Sequence, residues 1–274
     1  VDTACDPAKA EKNLKDYLKK NKPEILLGPT CSTSAARIIQ DIAIPKKILT
    51  ISSSASYPLL STLKDNDLFF RTIPSDIQQS TSIANYLISK NIRQIILLYG
   101  DDSYNSTLAQ NFLKVFTEEG GIVLFNTLLT DKTVINQSFI NTFVDIAIDN
   151  DQPGLVMFLH GNERTVNLLE QFTNTVLSRL QELQTSNIFK HQYGSDSMLT
   201  NEVKNLIYSY IPIQLNERTT IVAQATSQSS EEFQSYANIM LNAGVDPNSP
   251  YSAISYDTMM LAALALQHQA HNNY

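Results

Sequence analysis

Hydroxyl and thiol side chains crowd two short stretches of this 274-residue sequence, Gly-Pro-Thr-Cys-Ser-Thr-Ser-Ala at 28–35 and Ser-Ser-Ser-Ala-Ser at 52–56. Each follows an apolar run that reads as a strand, 25–27 and 47–51. Hydroxyls and free backbone N–H groups at a helix N-terminus form a site for a carboxylate or phosphate. Either stretch alone reads first as N-capping serines and turn formers. Together, at successive strand ends, they favour an anion pocket. A third stretch, Gly-Asp-Asp-Ser-Tyr at 100–104, follows the strongest strand signal, 94–99. Asp102 or Ser103 reads as a helix cap, and Tyr104 either reaches a ligand with its ring or packs. Asp101 and Asp102 have no third oxygen ligand close in sequence, and the calcium-loop pattern is absent, so no metal is expected.

Other chemistries lack their motifs. The sequence has no Gly-x-Ser-x-Gly elbow, no Gly-x-Gly-x-x-Gly loop and no Walker loop. Nothing places a general base beside a nucleophile, so the expectation is a protein that is not an enzyme and uses no cofactor. His268 and His271 share a helical face but read as part of a solvated terminal helix. His160 ends a strand in Leu-His-Gly-Asn, a place for a pocket residue or for an ordinary turn. Asn105-Ser106-Thr107 and Asn136-Gln137-Ser138 match the glycosylation acceptor pattern, which chance often produces; the first is discounted because it would set a glycan beside the strand-end pocket.

The elements that would hold these residues alternate. Helices are predicted over 7–20, 35–42, 76–89, 104–119, 136–148, 163–183, 231–242 and 251–269. Strands are predicted over 25–27, 47–51, 94–99, 122–128, 155–159, 188–193 and 219–224. Continuous apolar strands between amphipathic helices indicate α/β architecture with parallel sheets. Ligands in open α/β sheets bind outside the carboxyl ends of the strands. That rule points to 28–34, 52–57 and 99–104.

Composition narrows the partners. The net charge is −7, with 43% hydrophobic and 17% charged residues, so a core can form and no basic stripe exists to meet nucleic acid. Lysines cluster over 9–22 among acids and read as a solvated helix face. No apolar run reaches the length of a membrane span, and the sequence does not open with a signal peptide. The two cysteines, Cys5 and Cys31, are either separate buried thiols or a disulfide, which would imply an oxidising compartment.

Six stretches carry a resemblance in order: ACDPAKA (4–10), LLGPTCSTSA (26–35), ISSSASYPLL (51–60), FFRTIPSDIQQS (69–80), LLYGDDSYN (97–105) and YSAISYDTMMLAALAL (251–266). They are similar to the leucine/isoleucine/valine-binding branch of the type I periplasmic binding proteins, over nearly the whole chain. The resemblance implies a two-lobed fold, each lobe a mostly parallel sheet flanked by helices, closing on a small ligand between the lobes. Lobe one would comprise 1–73 and 225–274, lobe two 77–222, with hinge crossings near 73–76 and 223–226. The family's disulfide, carried over, pairs Cys5 with Cys31. Ser32 and Ser56 would donate to the ligand's α-carboxylate, with backbone N–H groups of the loop that contains Ala55. A carbonyl near Ser54 and the Asp196 side chain would hold its ammonium. Tyr104 and Gly161 would line the other lobe.

The resemblance further implies a periplasmic or extracellular protein. It would take an amino acid or related zwitterion and pass it to an ABC transporter permease. The other reading is the ligand-sensing ectodomain of a membrane receptor, with a signalling domain as its partner. The sequence departs from the family in several places. Ser54 and Ser56 stand where glycine and threonine are usual in branched-chain binders, Asp196 where glutamate is usual, and Gly161 where an aromatic is expected. The family's first strand-helix-strand unit and its C-terminal strands have no counterpart here: either the sequence is a fragment of a longer chain or its first lobe is built differently, and only their true absence would leave open edges on that lobe's sheet.

Overall fold

A computed structural model describes residues 1–130, 132–160, 163–185, 188–210, 219–222, 228–249 and 251–272. The chain forms two compact units, Val1–Asp76 with Ala225–Tyr274, and Ile77–Gln224. The expected crossing at 223–226 lies outside the described residues.

In the first unit, helix α1 (Pro7–Leu18) starts where expected: Asp6 caps it, its carboxylate accepting the Lys9 N–H at 2.7 Å. The lysine-rich face is solvated, and Ala10 and Leu14 turn inward to pack with Ile38 and Ile42. Strands β1 (Ile25–Leu27), β2 (Leu49–Ser52) and β3 (Phe69–Arg71) form a parallel sheet in the order β1-β2-β3. Leu27 on the outer strand is exposed.

The helix expected over 35–42 begins earlier, as α2 (Ser32–Ile38), because Cys31 takes the extended N-cap position. It then widens into a π turn over Ile39–Ala43, in which the Ile44 N–H bonds to the Ile39 carbonyl, five residues back. A last helical turn, Ile44–Lys46, contains Pro45, whose missing N–H leaves a gap in the i−4 ladder at this point. Strand β3 was not expected; it is three residues long, and of these only Phe69 is buried.

The second unit holds a five-stranded parallel sheet, β4 (Gln94–Gly100), β5 (Ile122–Leu129), β6 (Gly154–Phe158), β7 (Gln192–Ser195) and β8 (Thr219–Val222), in the order β5-β4-β6-β7-β8. Alternate residues of β4 serve opposite faces. Ile95 and Leu97, with Val156 and Phe158, pack on Phe112 and Phe116 of α4 (Ser103–Glu118) and on Ile83 and Leu87 of α3 (Asp76–Ser89). Ile96 and Leu98, with Leu155 and Met157, pack on Phe143 of α5 (Gln137–Asp149) and Phe172 of α6 (Glu163–Glu182). Both faces are therefore covered, which is why this strand is a continuous apolar run.

Gly121 closes the turn after α4 because a Cβ there would stand 2.3 Å from the Phe116 ring. Two corrections concern this unit. The strand placed at 188–193 begins four residues later and ends two residues later, as β7, and a helix the sequence did not suggest, α7 (Asn201–Tyr210), adds Val203 and Leu206 to the core.

The chain then returns to the first unit through α8 (Glu231–Asn242), capped by the Ser230 hydroxyl, and α9 (Ser252–Asn272). Thr258 of α9 meets Thr72, just past β3, through their hydroxyls at 2.7 Å. Among the described residues no helix is long and apolar enough to cross a membrane.

Candidate functional site

In the first unit the two hydroxyl-rich stretches sit at the carboxyl ends of β1 and β2 and are laced together. Gly28 carries β1 into the first stretch with φ +121°, a conformation that favours glycine, and its N–H bonds to the Ile51 carbonyl at 2.8 Å. The Ser52 hydroxyl donates to the Pro29 carbonyl at 2.6 Å and accepts the Ala55 N–H at 3.0 Å. The Ser54 hydroxyl donates to the Thr30 carbonyl at 2.8 Å. The Tyr57 N–H donates to the Ser32 oxygen at 3.2 Å. Ser32 therefore accepts from the neighbouring loop while its own O–H is left to donate elsewhere. Ser32, Ala55 and Ser56 are all buried.

A disulfide joins Cys5 to Cys31, with Cα atoms 5.4 Å apart, and the Thr33 hydroxyl donates to the Cys5 carbonyl at 3.0 Å. The thiol set among hydroxyls thus ties the first loop to the segment entering α1. Arg71, at the end of β3, supports the second loop: its guanidinium donates to the carbonyls of Ala55 and Tyr57 at 3.2 and 3.0 Å and to the Ser61 hydroxyl at 2.5 Å. Burial lowers the Arg71 pKa from its usual value, and the charge of Asp76 works in the opposite direction.

The second unit gathers a different chemistry at its strand ends. Asp102 caps α4, one oxygen accepting the N–H groups of Tyr104 and Asn105 at 3.0 and 3.1 Å, the other the Asn105 amide at 2.6 Å. His160, just past β6, places Nε2 3.2 Å from the same carboxylate. Burial opposes ionisation of Asp102, but the hydrogen bond and charge of His160, with Asn105, outweigh it and hold the carboxyl at about 2. An ionised carboxylate only accepts, so the His160 proton in this contact is on Nε2.

The His160 ring stacks on Tyr104, with centroids 5.3 Å apart and planes 22° apart. The Tyr104 hydroxyl donates to Asp196, which opens the turn after β7, and Gln79 Oε1 stands 3.2 Å from the same phenolic oxygen. This cluster is rich in acceptors, whereas the loops of the first unit offer donors.

Of the expected site residues, Ser32, Ser54, Ala55 and Ser56 share one loop pair in the first unit, and Tyr104 and Asp196 share one hydrogen bond in the second. Gly161 lies outside the described residues. Arg71 and Gln79 were missed, although both lie in FFRTIPSDIQQS: a lone arginine closing an apolar pair was the available signal. Asn105 is buried, which suits neither a glycan nor an exposed loop. Among the described residues no group of three His, Cys, Asp or Glu side chains gathers to hold a metal.

Solved structures share this architecture. A leucine-binding protein from Thermotoga maritima superimposes with a TM-score of 0.73 at 15% identity, over 97% of this chain and 70% of the other. An ABC transporter substrate-binding protein from Desulfitobacterium hafniense, in complex with Leu, gives 0.72 at 16% identity, over 98% of this chain and 71% of the other. A solute-binding protein of an ABC transporter from R. palustris, in complex with 4-hydroxybenzoate, gives 0.71 at 15% identity, over 94% and 66%. The shared feature at such identities is the fold, that of the type I periplasmic binding proteins. Residues 1–273 also match the family model described as the receptor family ligand binding region, and the chain belongs to that family.

Proposed function

We propose that the chain is an extracytoplasmic solute receptor that captures a small amino-acid-like molecule and passes it to an ABC transporter permease. The observation that carries this reading is the division of polarity between the units. Laced hydroxyl loops hold Ser32 and Ser56 in the first, and the acceptors Asp196 and Gln79 gather at the Tyr104 hydroxyl in the second. A zwitterion needs donors at its acid end and acceptors at its basic end, and such a site rejects molecules lacking either. One unit would hold the carboxylate, the other the ammonium, and the two would close on the ligand by differential affinity. Asp196 is one methylene shorter than glutamate, which favours a ligand larger or more polar than leucine. The role is binding and not catalysis, in keeping with the ligand-binding family. The family's description as a receptor region also favours a second reading, a sensing ectodomain whose closure signals.

A thermal-shift screen against the amino acids, small peptides and aromatic carboxylates tests the proposal. A ligand at 100 times its Kd stabilises the folded state by about 2.7 kcal/mol, which for a chain of this size moves the transition by roughly 5 °C. A shift confined to zwitterions supports the reading. A sharp transition that none of them moves contradicts it, and so does a compound that is chemically converted during incubation.

A further inference from the structure

Arg71 holds the second hydroxyl loop from behind. Its guanidinium reaches the Ala55 carbonyl at 3.2 Å, the Tyr57 carbonyl at 3.0 Å and the Ser61 hydroxyl at 2.5 Å, all within the first unit. The peptide linking Ala55 to Ser56 is trans, since the one cis bond in the described backbone is at Gly28-Pro29. In a trans peptide the C=O and the following N–H point in opposite directions. Drawing the Ala55 carbonyl toward Arg71 therefore turns the Ser56 N–H the other way. The Ser56 carbonyl is itself taken by the Asp76 N–H at 3.1 Å, whereas among the described residues no protein acceptor takes the Ser56 N–H. A backbone donor held in a fixed direction without a protein partner calls for a ligand or water.

We propose that Arg71 is a positioning residue: by binding the Ala55 and Tyr57 carbonyls it presents the Ser56 N–H as a carboxylate donor. The carboxylate part of this inference rests on the function proposed above. Arginine suits the task because its planar fork donates to several oxygens at once; a lysine ammonium is a single point on a flexible stem. The cation also lies on the carbonyl side of that peptide, where it polarises the amide and strengthens its N–H as a donor. Arg71 itself need not touch the ligand.

The test compares wild type with Arg71→Lys and Arg71→Gln by amide hydrogen exchange without ligand. The Ala55 and Tyr57 N–H groups report on the loop, since they bond to the Ser52 and Ser32 hydroxyls. The Gly28 and Thr50 N–H groups report on the sheet, bonding to the carbonyls of Ile51 and Leu68. The expected result is roughly tenfold faster exchange at Ala55 and Tyr57 with Gly28 and Thr50 unchanged. Unchanged loop exchange would overturn the proposal, and equal acceleration at all four amides would reduce Arg71 to a general structural role.

A second arm adds L-leucine and benzoate as carboxylate probes and follows the Ser56 amide by NMR. The wild-type Ser56 proton is expected to move downfield with a bound probe, and the shift should shrink in both variants. A bound probe that leaves Ser56 unmoved overturns the donor assignment. If neither probe moves any wild-type amide, that counts against the carboxylate reading, and the ligand-free exchange still decides whether Arg71 orders the loop.

Discussion

The Tyr104 hydroxyl hydrogen-bonds to the Asp196 carboxylate, joining the first turn of α4 to the turn after β7 across 92 residues of sequence. The same tyrosine ring carries His160 on its face, and His160 in turn reaches Asp102, the cap of α4. Three strand ends of the second unit are thereby tied into one polar network. Its members should be coupled to each other more tightly than to the rest of the core.

Replacing Asp196 with alanine and Ser32 with alanine separates binding from folding. Each removes a proposed ligand contact from a different unit. The double variant should lose ligand binding in calorimetry while its circular dichroism spectrum stays that of the wild type. Retained affinity in the double variant would show that the ligand is held by other groups.

Asp102 gives a pH signature. Its folded pKa, about 2, lies below the ordinary 3.8. A depressed carboxyl contributes stability that is present above the unfolded pKa and is lost as pH falls through the folded value. Asp102→Asn should therefore be less stable than wild type in urea at pH 7, and the gap should close between about pH 4 and pH 2. A gap independent of pH would mean that the side chain acts through its shape alone.

The Cys5–Cys31 bond closes a loop with a sequence separation of 26 residues. Loop-closure entropy makes its removal worth roughly 3–4 kcal/mol. Cys5→Ser with Cys31→Ser, and separately reduction of the wild type, should lower the urea midpoint by similar amounts. A much smaller loss would mean that the Thr33 contact and the packing of α1 already hold this corner.

Ser34 is fully buried in α2, and its hydroxyl has no hydrogen-bond partner among the described residues. An unsatisfied buried hydroxyl costs about 1–3 kcal/mol relative to a nonpolar group of similar shape. Ser34→Ala should raise stability by about 1 kcal/mol, read from chemical denaturation. A loss of stability would reveal a partner, such as an ordered water, that the hydroxyl serves.

What the sequence makes legible follows from how each feature is encoded. Strand β4 is a continuous apolar run because helices cover both of its faces, and Asp102 advertises itself as a cap by its place before Ser-Tyr-Asn. Strand β3 is hidden because three residues with one buried side chain leave no periodic trace. The π turn after Ile38 is hidden because hydrogen-bond register depends on Pro45 and its surroundings together. Cys5 and Cys31 left two readings open from residue types alone; the family resemblance supplied the pairing, and the structure contains it. Arg71 and Gln79 escaped notice because their roles lie in contacts with distant backbone and side-chain oxygens.

The central claim is that the hydroxyl loops of the first unit recognise a carboxylate. The most direct measurement is titration calorimetry of a zwitterion identified in the thermal screen against its methyl ester, which keeps the ammonium and removes the negative charge. Two lost charge-assisted hydrogen bonds, each worth about 1.5–3 kcal/mol, should weaken the ester by roughly 100-fold or more. Equal affinity for acid and ester would contradict the account and would move the recognition of the acid end away from Ser32 and Ser56.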